Sequence, residues 1–258
     1  MDGLFPYNFL DKDERLDDLG IAGLSIIQNT KSFCFGMDAV LLSAFAKVHS
    51  GETVVDLCSG NGILPILLSA KTEASHIWSI ELLPKSVDLA HRSVVMNGLE
   101  DRITILEGDV KKASELLENR QFDVVTCNPP YMKGGLLNEK DDLKIARHEI
   151  TLDLGSLAKQ IAVLLRPKGR VYFVHRPYRL TELFVEMHSA GIEPKILRFV
   201  HPFADKKPNL VLVEGVKGAK PFLEVEPPLV VYQSLNVYTP EVMKMYGYEN
   251  NLWVEGQF

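Results

Sequence analysis

The stretch FDVVTCNPPY, residues 122–131, decides the fold. Its first part, Asp123 to Thr126, is largely β-branched, which is typical of a strand buried on both faces of a parallel sheet. Two prolines then follow within the segment NPPY. Because proline lacks a backbone N–H and has a fixed φ, the strand must end there. The sequence therefore predicts a stiff turn at the carboxyl end of a strand, the edge at which open α/β sheets bind ligands.

The predicted turn carries groups that suit a planar amine. Asn128 offers an amide oxygen, Pro129 and Pro130 offer carbonyl oxygens, and Tyr131 offers an aromatic ring. Together they can accept hydrogen bonds from an –NH2 group and stack on the ring to which it is attached. We therefore expect these four residues to hold the substrate.

Strand and helix patterns alternate along most of the chain. Apolar or β-branched runs predict seven strands, at residues 53–57, 76–81, 102–106, 123–126, 170–174, 196–200 and 210–214. The last two form a closing antiparallel hairpin. Helical patterns lie between the others, so we predict a Rossmann-like, doubly wound α/β fold with a mainly parallel seven-stranded sheet.

A glycine-containing turn follows the strand that ends near Asp56. The stretch from Asp56 to Gly62 reads DLCSGNG, and a helical pattern follows it. A dinucleotide fingerprint needs a small residue three positions after the second glycine, where this chain has Pro65. A carboxylate before the glycines would also repel a pyrophosphate, but it suits a cationic, amine-bearing ligand. S-adenosylmethionine is such a ligand, with a carboxylate end that the glycines would allow to approach backbone N–H groups.

Acidic residues follow the next two strands as well. Glu81 is placed to accept hydrogen bonds from both ribose hydroxyls, as an acidic residue does in related nucleotide folds. Asp109 is placed to accept one from the adenine amino group. Each residue alone could merely cap a turn. Three acidic strand ends in succession, followed by NPPY on the fourth, favour a cofactor site instead.

The composition excludes several classes of protein. Apolar residues make up 46% of 258 residues, too many for a disordered chain, and no apolar run approaches the ~18 residues that a membrane span needs. The acidic N-terminus does not resemble a signal peptide. Cys34, Cys58 and Cys127 have no metal-ligand spacing. We therefore expect a cytoplasmic protein without a metal ion and without a membrane partner.

The charge of −6 is unevenly distributed along the chain. Residues 1–158 carry a net charge of −9, residues 159–220 carry +7, and residues 221–258 carry −4. The basic segment could form a surface for a nucleic-acid backbone, or it could be an ordinary solvated set of helix ends.

The order of the motifs DLCSGNG, IEL, GD and NPPY resembles that of the class I S-adenosylmethionine-dependent methyltransferases that act on amino nitrogens. The segment FCFGMDAVLLSAF, ahead of the glycine turn, is similar to the methyltransferase small domain group. The segments LRPKGRVYFVHRPYRL and FVHPFADKKPNLVLVEGVKG resemble the tRNA(Val) adenine-37 N(6)-methyltransferase family. The resemblance covers roughly residues 19–218.

The resemblance implies an enzyme that methylates N(6) of adenine in tRNA. Its cofactor set would be Asp56, Cys58, Gly60, Gly62, Glu81, Leu82, Asp109, Val110 and Asn128. RNA contacts are expected at Lys206, Lys207 and Arg176, and we assume a monomer. Three regions are predicted: an N-terminal extension with a helix that packs on the cofactor site (1–50), a methyltransferase domain (51–220) and a surface tail (221–258).

Three alternatives remain open. NPPY also occurs in enzymes that methylate N(2) of guanine in RNA and in protein glutamine methylases. The latter carry a sizeable helical domain before the cofactor turn, whereas only 55 residues precede Asp56 here. A non-catalytic RNA-binding module is disfavoured because the acidic strand ends and Asn128 are intact.

Overall fold

A computed structural model of the chain describes residues 10–31, 34–130 and 153–248. The strands are β1 (Glu14–Asp18), β2 (Ser25–Asn29), β3 (Thr53–Leu57), β4 (His76–Glu81), β5 (Ile103–Glu107), β6 (Phe122–Cys127), β7 (Leu165–His175), β8 (Ile192–His201), β9 (Leu210–Lys217), β10 (Glu224–Val225), β11 (Leu229–Val230), β12 (Tyr232–Ser234) and β13 (Val237–Tyr238). The helices are α1 (Met37–Phe45), α2 (Ile63–Lys71), α3 (Pro84–Met96), α4 (Ala113–Leu116), α5 (Leu154–Leu164), α6 (Leu180–Ser189) and α7 (Pro240–Met245). Short 3-10 turns lie at Val110–Lys112 and Pro177–Arg179.

Within these ranges the central sheet has nine strands, in the order β10-β8-β9-β7-β6-β3-β4-β5, and β11 also pairs with β8. Strand β9 runs antiparallel to β7 and β8, and the other pairs are parallel. The doubly wound, mainly parallel fold with an antiparallel hairpin is thus confirmed. The two strands beyond the predicted seven, β10 and β11, have two residues each, too few to form a sequence pattern.

Helices cover both faces of the sheet, so the inner strands are buried on both sides. Along β3, Val54 packs into a core beneath α1, α2 and α7, whereas Val55 packs into a core beneath α5 and α6. Val124 and Val125 of β6 divide in the same way. This double burial explains why the strands read as continuous β-branched runs rather than as an alternating pattern.

The N-terminal region is more ordered than we expect from its polar sequence. Strands β1 and β2 form an antiparallel hairpin that docks on α3. Arg92 of α3 donates to both carboxylate oxygens of Glu14, at 2.8 and 2.9 Å, and the Ile27 amide donates to Ser93 Oγ at 3.0 Å. Residues 14–18 are therefore docked on α3, because ion pairing and backbone hydrogen bonds secure them.

The C-terminal region packs into the core. Leu229, Val231 and Val242 are almost fully buried, and Lys71 Nζ donates to the carbonyl oxygen of Met245 at 2.7 Å. The expectation of a surface tail is wrong for these positions, although Leu235 is 80% exposed. The division of the chain at residues 50 and 220 stays a prediction.

Across the part of the chain that the structure describes, no helix is long and apolar enough to cross a membrane. In the same ranges, no three His, Cys, Asp or Glu side chains are grouped so that they could hold a metal ion.

Candidate active site

The acidic residues and the Asn-Pro-Pro turn meet at one edge of the sheet. Strand β3 pairs in parallel with β4 on one side and with β6 on the other, and β5 pairs in parallel with β4. Parallel strands end at the same edge, which places Asp56, Glu81, Asp109 and Asn128 along it. The structure therefore places these four residues, three from the predicted cofactor set and Asn128, at one edge of the sheet.

The turn after β3 has a backbone that few side chains allow. Gly60 and Gly62 have φ values of +57° and +83°, and Cys58 reaches +62° although it is not glycine. The amides of Cys58 and Ser59 both donate to the Ile80 carbonyl, at 3.1 and 3.2 Å, which ties the turn to β4. A left-handed cysteine costs roughly 1–2 kcal/mol. Such strain persists where the surrounding structure determines the backbone, as at ligand-binding turns.

Glu81 holds this turn from the neighbouring strand. One carboxylate oxygen accepts from the Gly60 amide at 2.9 Å, and the other accepts from the Leu83 amide at 2.9 Å. The residue is 8% exposed. Each oxygen has a further lone pair, so Glu81 can bind a hydroxyl group while it fixes the two backbone segments.

Asp56 lies deeper and carries a perturbed carboxyl group. It is 1% exposed, and its Oδ1 accepts from Thr126 Oγ1 at 2.7 Å. Its Oδ2 is buried and accepts no hydrogen bond within the described ranges. Burial raises the pKa of Asp56 to about 8; the charge of Glu81 adds to this rise, and the Thr126 bond opposes it. A carboxyl group with an unused buried oxygen suits a cationic partner, which would favour its charged form.

The remaining predicted cofactor residues flank these two carboxyl groups. Asp109 begins the short 3-10 turn and accepts from the Lys111 amide at 2.9 Å. Val110 is 3% exposed, whereas Leu82 is half-buried after β4. The Asp109 carboxylate is half-buried at the same edge, with lone pairs remaining for a donor.

The Asn-Pro-Pro turn begins where β6 ends. Asn128 is half-buried, Pro129 is buried and Pro130 is half-buried. We find no hydrogen bond from the Asn128 side chain to another described residue, so its amide can serve a ligand. Tyr131, which we predict to stack on the substrate, lies outside the described residues.

The predicted RNA contacts lie at this same edge, two strands away. Lys206 and Lys207 are exposed in the turn that joins β8 to β9. Lys206 Nζ lies 3.1 Å from the carboxylate of Asp205. Arg176, at the end of β7, donates to the Asn209 carbonyl at 3.1 Å and so joins the site edge to this turn. The ring of Phe203 in the turn packs on Tyr232, with centroids 5.5 Å apart.

Three contributors to the site do not stand out in the sequence. They are Thr126, which orients Asp56, the Leu83 amide, which binds Glu81, and Asn61, whose side-chain amide donates to the Ile27 carbonyl at 3.4 Å. Thr126 is the one polar residue between Val125 and Cys127 in a buried strand, but its register with Asp56 is set by strand pairing. The Leu83 contact spans only two positions, yet a backbone amide carries no signal of its own in the sequence. The Asn61 contact joins residues 34 positions apart and leaves no local signal.

Comparison with known proteins identifies the family of this chain. The family model described as "Methyltransferase small domain" matches residues 36–179, more than half of the chain. A relative from Porphyromonas gingivalis, named tRNA1(Val) (adenine(37)-N6)-methyltransferase, is 27% identical over 81% of this chain and 86% of its own length. One of the same name from Aliivibrio fischeri is 25% identical over 88% and 91% of the two chains.

Solved structures share the fold at low sequence identity. A crystal structure of a predicted O-methyltransferase from Agrobacterium tumefaciens has a TM-score of 0.67 and 21% identity, and covers 82% of this chain and 96% of that one. TYW2 from M. jannaschii, solved in complex with AdoMet, has a TM-score of 0.54 and 12% identity, with 80% and 86% covered. The resemblance in the motifs is therefore confirmed: this chain has the class I methyltransferase fold, belongs to the methyltransferase small domain family and is a methyltransferase.

Proposed function

We propose that this methyltransferase uses S-adenosylmethionine to methylate N(6) of an adenine in tRNA, with adenosine 37 of tRNA(Val) as its target. The observation that carries the proposal is the placement of Asn128 and Pro129 beside the acidic strand ends of β3 and β4. The names of the relatives supply the substrate, and the basic residues at the same edge are consistent with it.

The residues of the glycine turn fit the cofactor. The unused Oδ2 of Asp56 would accept from the cofactor's ammonium group, and Glu81 would accept from its ribose hydroxyls. Asp109 would accept from the adenine amino group. Among the described residues, no side chain approaches the Cβ position of Gly60 within 4 Å, which leaves room for a ligand against the backbone.

Asn128 and Pro129 would act on the target nitrogen. The bound cofactor supplies an activated methyl group on a sulfonium sulfur. The adenine amino nitrogen is a poor nucleophile because its lone pair is delocalised into the ring. Asn128 Oδ1 and the Pro129 carbonyl would accept hydrogen bonds from its two N–H groups. These hydrogen bonds would favour a pyramidal nitrogen, stabilise the developing positive charge and direct the lone pair at the methyl group. The base must leave its stack to reach this position.

An RNA hairpin with one altered base tests this proposal. We expect methyl transfer from labelled S-adenosylmethionine to a tRNA(Val) anticodon stem-loop that has adenosine at position 37. The same stem-loop with guanosine there should accept no label. Equal labelling of the two hairpins would show that adenine 37 is not the methylated base. Labelling of the guanosine hairpin alone would favour guanine N(2) methylation.

The first prediction concerns protons released when the cofactor binds. At pH 7 a carboxyl group with a pKa of about 8 is protonated in roughly nine-tenths of molecules. An ammonium group against Asp56 would favour the carboxylate, so binding should release close to one proton at pH 7, and affinity should rise towards pH 8. Calorimetry in buffers with different ionisation enthalpies measures the number of protons released.

The Asp56→Asn variant is the matched control, because it keeps the side-chain shape without the titration. It should release no proton when the cofactor binds. Proton release by Asp56→Asn equal to that of the wild type would contradict the role of Asp56.

The raised pKa of Asp56 also predicts how the stability of the wild-type protein without cofactor depends on pH. The pKa of Asp56 in the folded state lies above the unfolded value of 3.8, so the folded state holds the proton more tightly. The free energy of unfolding should therefore fall between about pH 4 and pH 8.

The second prediction concerns the hairpin turn. Replacing both Lys206 and Lys207 by glutamine should weaken RNA binding. It should also reduce the slope of log K against log salt by about 0.7–0.9 for each phosphate contact that is lost. Cofactor affinity should not change. Filter binding over a range of salt concentrations provides the slopes.

Lys47 and Lys168 form the control pair for this experiment. Both are exposed, and they lie near the amino ends of the strands, at the opposite edge of the sheet. Glutamine at both positions changes the net charge equally but should leave the slope close to that of the wild type. Equal losses of RNA affinity in the two double variants would mean that the net charge of the protein, rather than this turn, governs RNA binding.

A further inference from the structure

An exposed tyrosine stands at the edge of the active site without a part in the chemistry described above. Tyr178 is 65% exposed, and it lies in the Pro177–Arg179 turn directly after β7. Cys127, the last residue of β6, pairs with Phe173, so the Asn-Pro-Pro turn leaves β6 two residues before β7 ends at His175. Tyr178 follows His175 by three residues, so their Cα atoms are at most about 11 Å apart.

The backbone beneath this ring is fixed on both sides. The Arg176 amide donates to His175 Nδ1 at 2.8 Å, and the Arg179 amide donates to the Arg176 carbonyl at 3.1 Å. Pro177 starts the turn, and Arg179 Nε donates to Glu182 at 2.9 Å. An aromatic side chain on a rigid support loses little conformational entropy when a partner packs on it.

We propose that Tyr178 stacks on a nucleobase of the RNA next to the base that enters the active site; this rests on the proposed function. RNA that is read in a loop presents unstacked bases, and these pack on aromatic rings. Arg176, two residues before Tyr178, donates to the Asn209 carbonyl in the turn that carries Lys206 and Lys207, so this edge of the sheet holds cationic groups that suit a phosphate backbone. That setting favours RNA over a protein substrate as the partner.

Stacking predicts an effect that differs from the loss of a charge. Tyr178→Ala should weaken RNA binding by about five- to 150-fold, the range for removal of one base–aromatic stack. The slope of log K against log salt should not change, since no charge is removed. Tyr178→Phe keeps the ring and should bind RNA within about twofold of the wild type. Affinity for S-adenosylmethionine should be the same in all variants.

Phe222 supplies the matched control. It is 69% exposed, and it precedes β10, whose Glu224 pairs with Ile196 in the middle of β8. Five residues separate Ile196 from the end of β8, so Glu224 lies about 17 Å from the edge that carries Lys206 and Lys207, at a rise of ~3.3 Å per residue. Phe222→Ala removes an equally exposed ring and should leave RNA binding unchanged.

The decisive experiment is a titration of these variants with the tRNA(Val) anticodon stem-loop, together with a fluorescence titration of Tyr178→Trp. A stacked base should quench the tryptophan introduced at position 178. Tyr178→Ala with wild-type affinity, Tyr178→Phe as weak as Tyr178→Ala, or no quenching would each overturn the inference. A wild-type protein that methylates the RNA while Tyr178→Ala binds it normally would overturn only this inference. A wild-type protein that binds protein and no RNA would overturn the proposed function as well.

Discussion

Replacing Asn128 with alanine should reduce methyl transfer at least about 100-fold, while affinity for S-adenosylmethionine stays within about twofold. The expected loss is that of one preorganised group that stabilises the transition state. Asn128 is half-buried at the end of β6, and we find no partner for its amide among the described residues, so the fold does not depend on it. Single-turnover rates with the stem-loop, and calorimetry with the cofactor, measure the two quantities separately.

Asn128→Asp is the control for this prediction. It preserves an acceptor oxygen and the size of the side chain, but it adds a negative charge beside Asp56 and Glu81. We expect it to retain more activity than the alanine variant and to depend more strongly on pH. Near-normal turnover by Asn128→Ala would show that the amide does not act on the target nitrogen.

Gly62→Ala should reduce the free energy of unfolding by about 2–5 kcal/mol. The residue has a φ of +83°, which costs a side chain roughly 1–2 kcal/mol, and its new Cβ would lie 3.0 Å from the Cβ and 3.3 Å from the Cα of Ala90 in α3. Overpacking of this kind costs typically 1–3 kcal/mol. Urea denaturation followed by circular dichroism measures the change.

Gly60→Ala is the matched variant, because it has a similar backbone conformation in a different environment. Its φ is +57°, and no atom of the part of the chain that the structure describes lies within 4 Å of the added Cβ. It should lose only about 1–2 kcal/mol of stability, but it should weaken cofactor binding, since the methyl group would project into the space where we place the ligand. Equal destabilisation by the two variants would contradict the packing of Gly62 on α3.

The strands that position the site could be predicted from the sequence, because their signals are local. Thr53–Leu57 and His76–Glu81 are predicted to the residue. Each is a largely apolar, β-branched run that ends at a turn or an acidic residue. Pro84 and Gly98 are local signals of the same kind that mark the limits of α3, with proline in its first turn and a left-handed glycine after its end.

The contacts that complete the site could not be predicted, because they join residues far apart in the chain. Thr126 bonds to Asp56 across 70 positions, and no local pattern specifies that register. Glu81, which we predict to accept from the ribose hydroxyls, also accepts from two backbone amides, and its sequence position does not indicate these contacts. The burial of Val242 depends on the packing of α7 against α1. A helix of six residues is too short for its sequence to indicate the helix on which it packs.

The most direct test of the central claim uses total tRNA from cells that lack this protein. The purified enzyme is incubated with that tRNA and labelled S-adenosylmethionine, and the labelled nucleoside is identified by mass spectrometry. We expect N(6)-methyladenosine, recovered from the anticodon loop of tRNA(Val). Recovery of N(2)-methylguanosine alone, or of label in protein with none in RNA, would contradict the account.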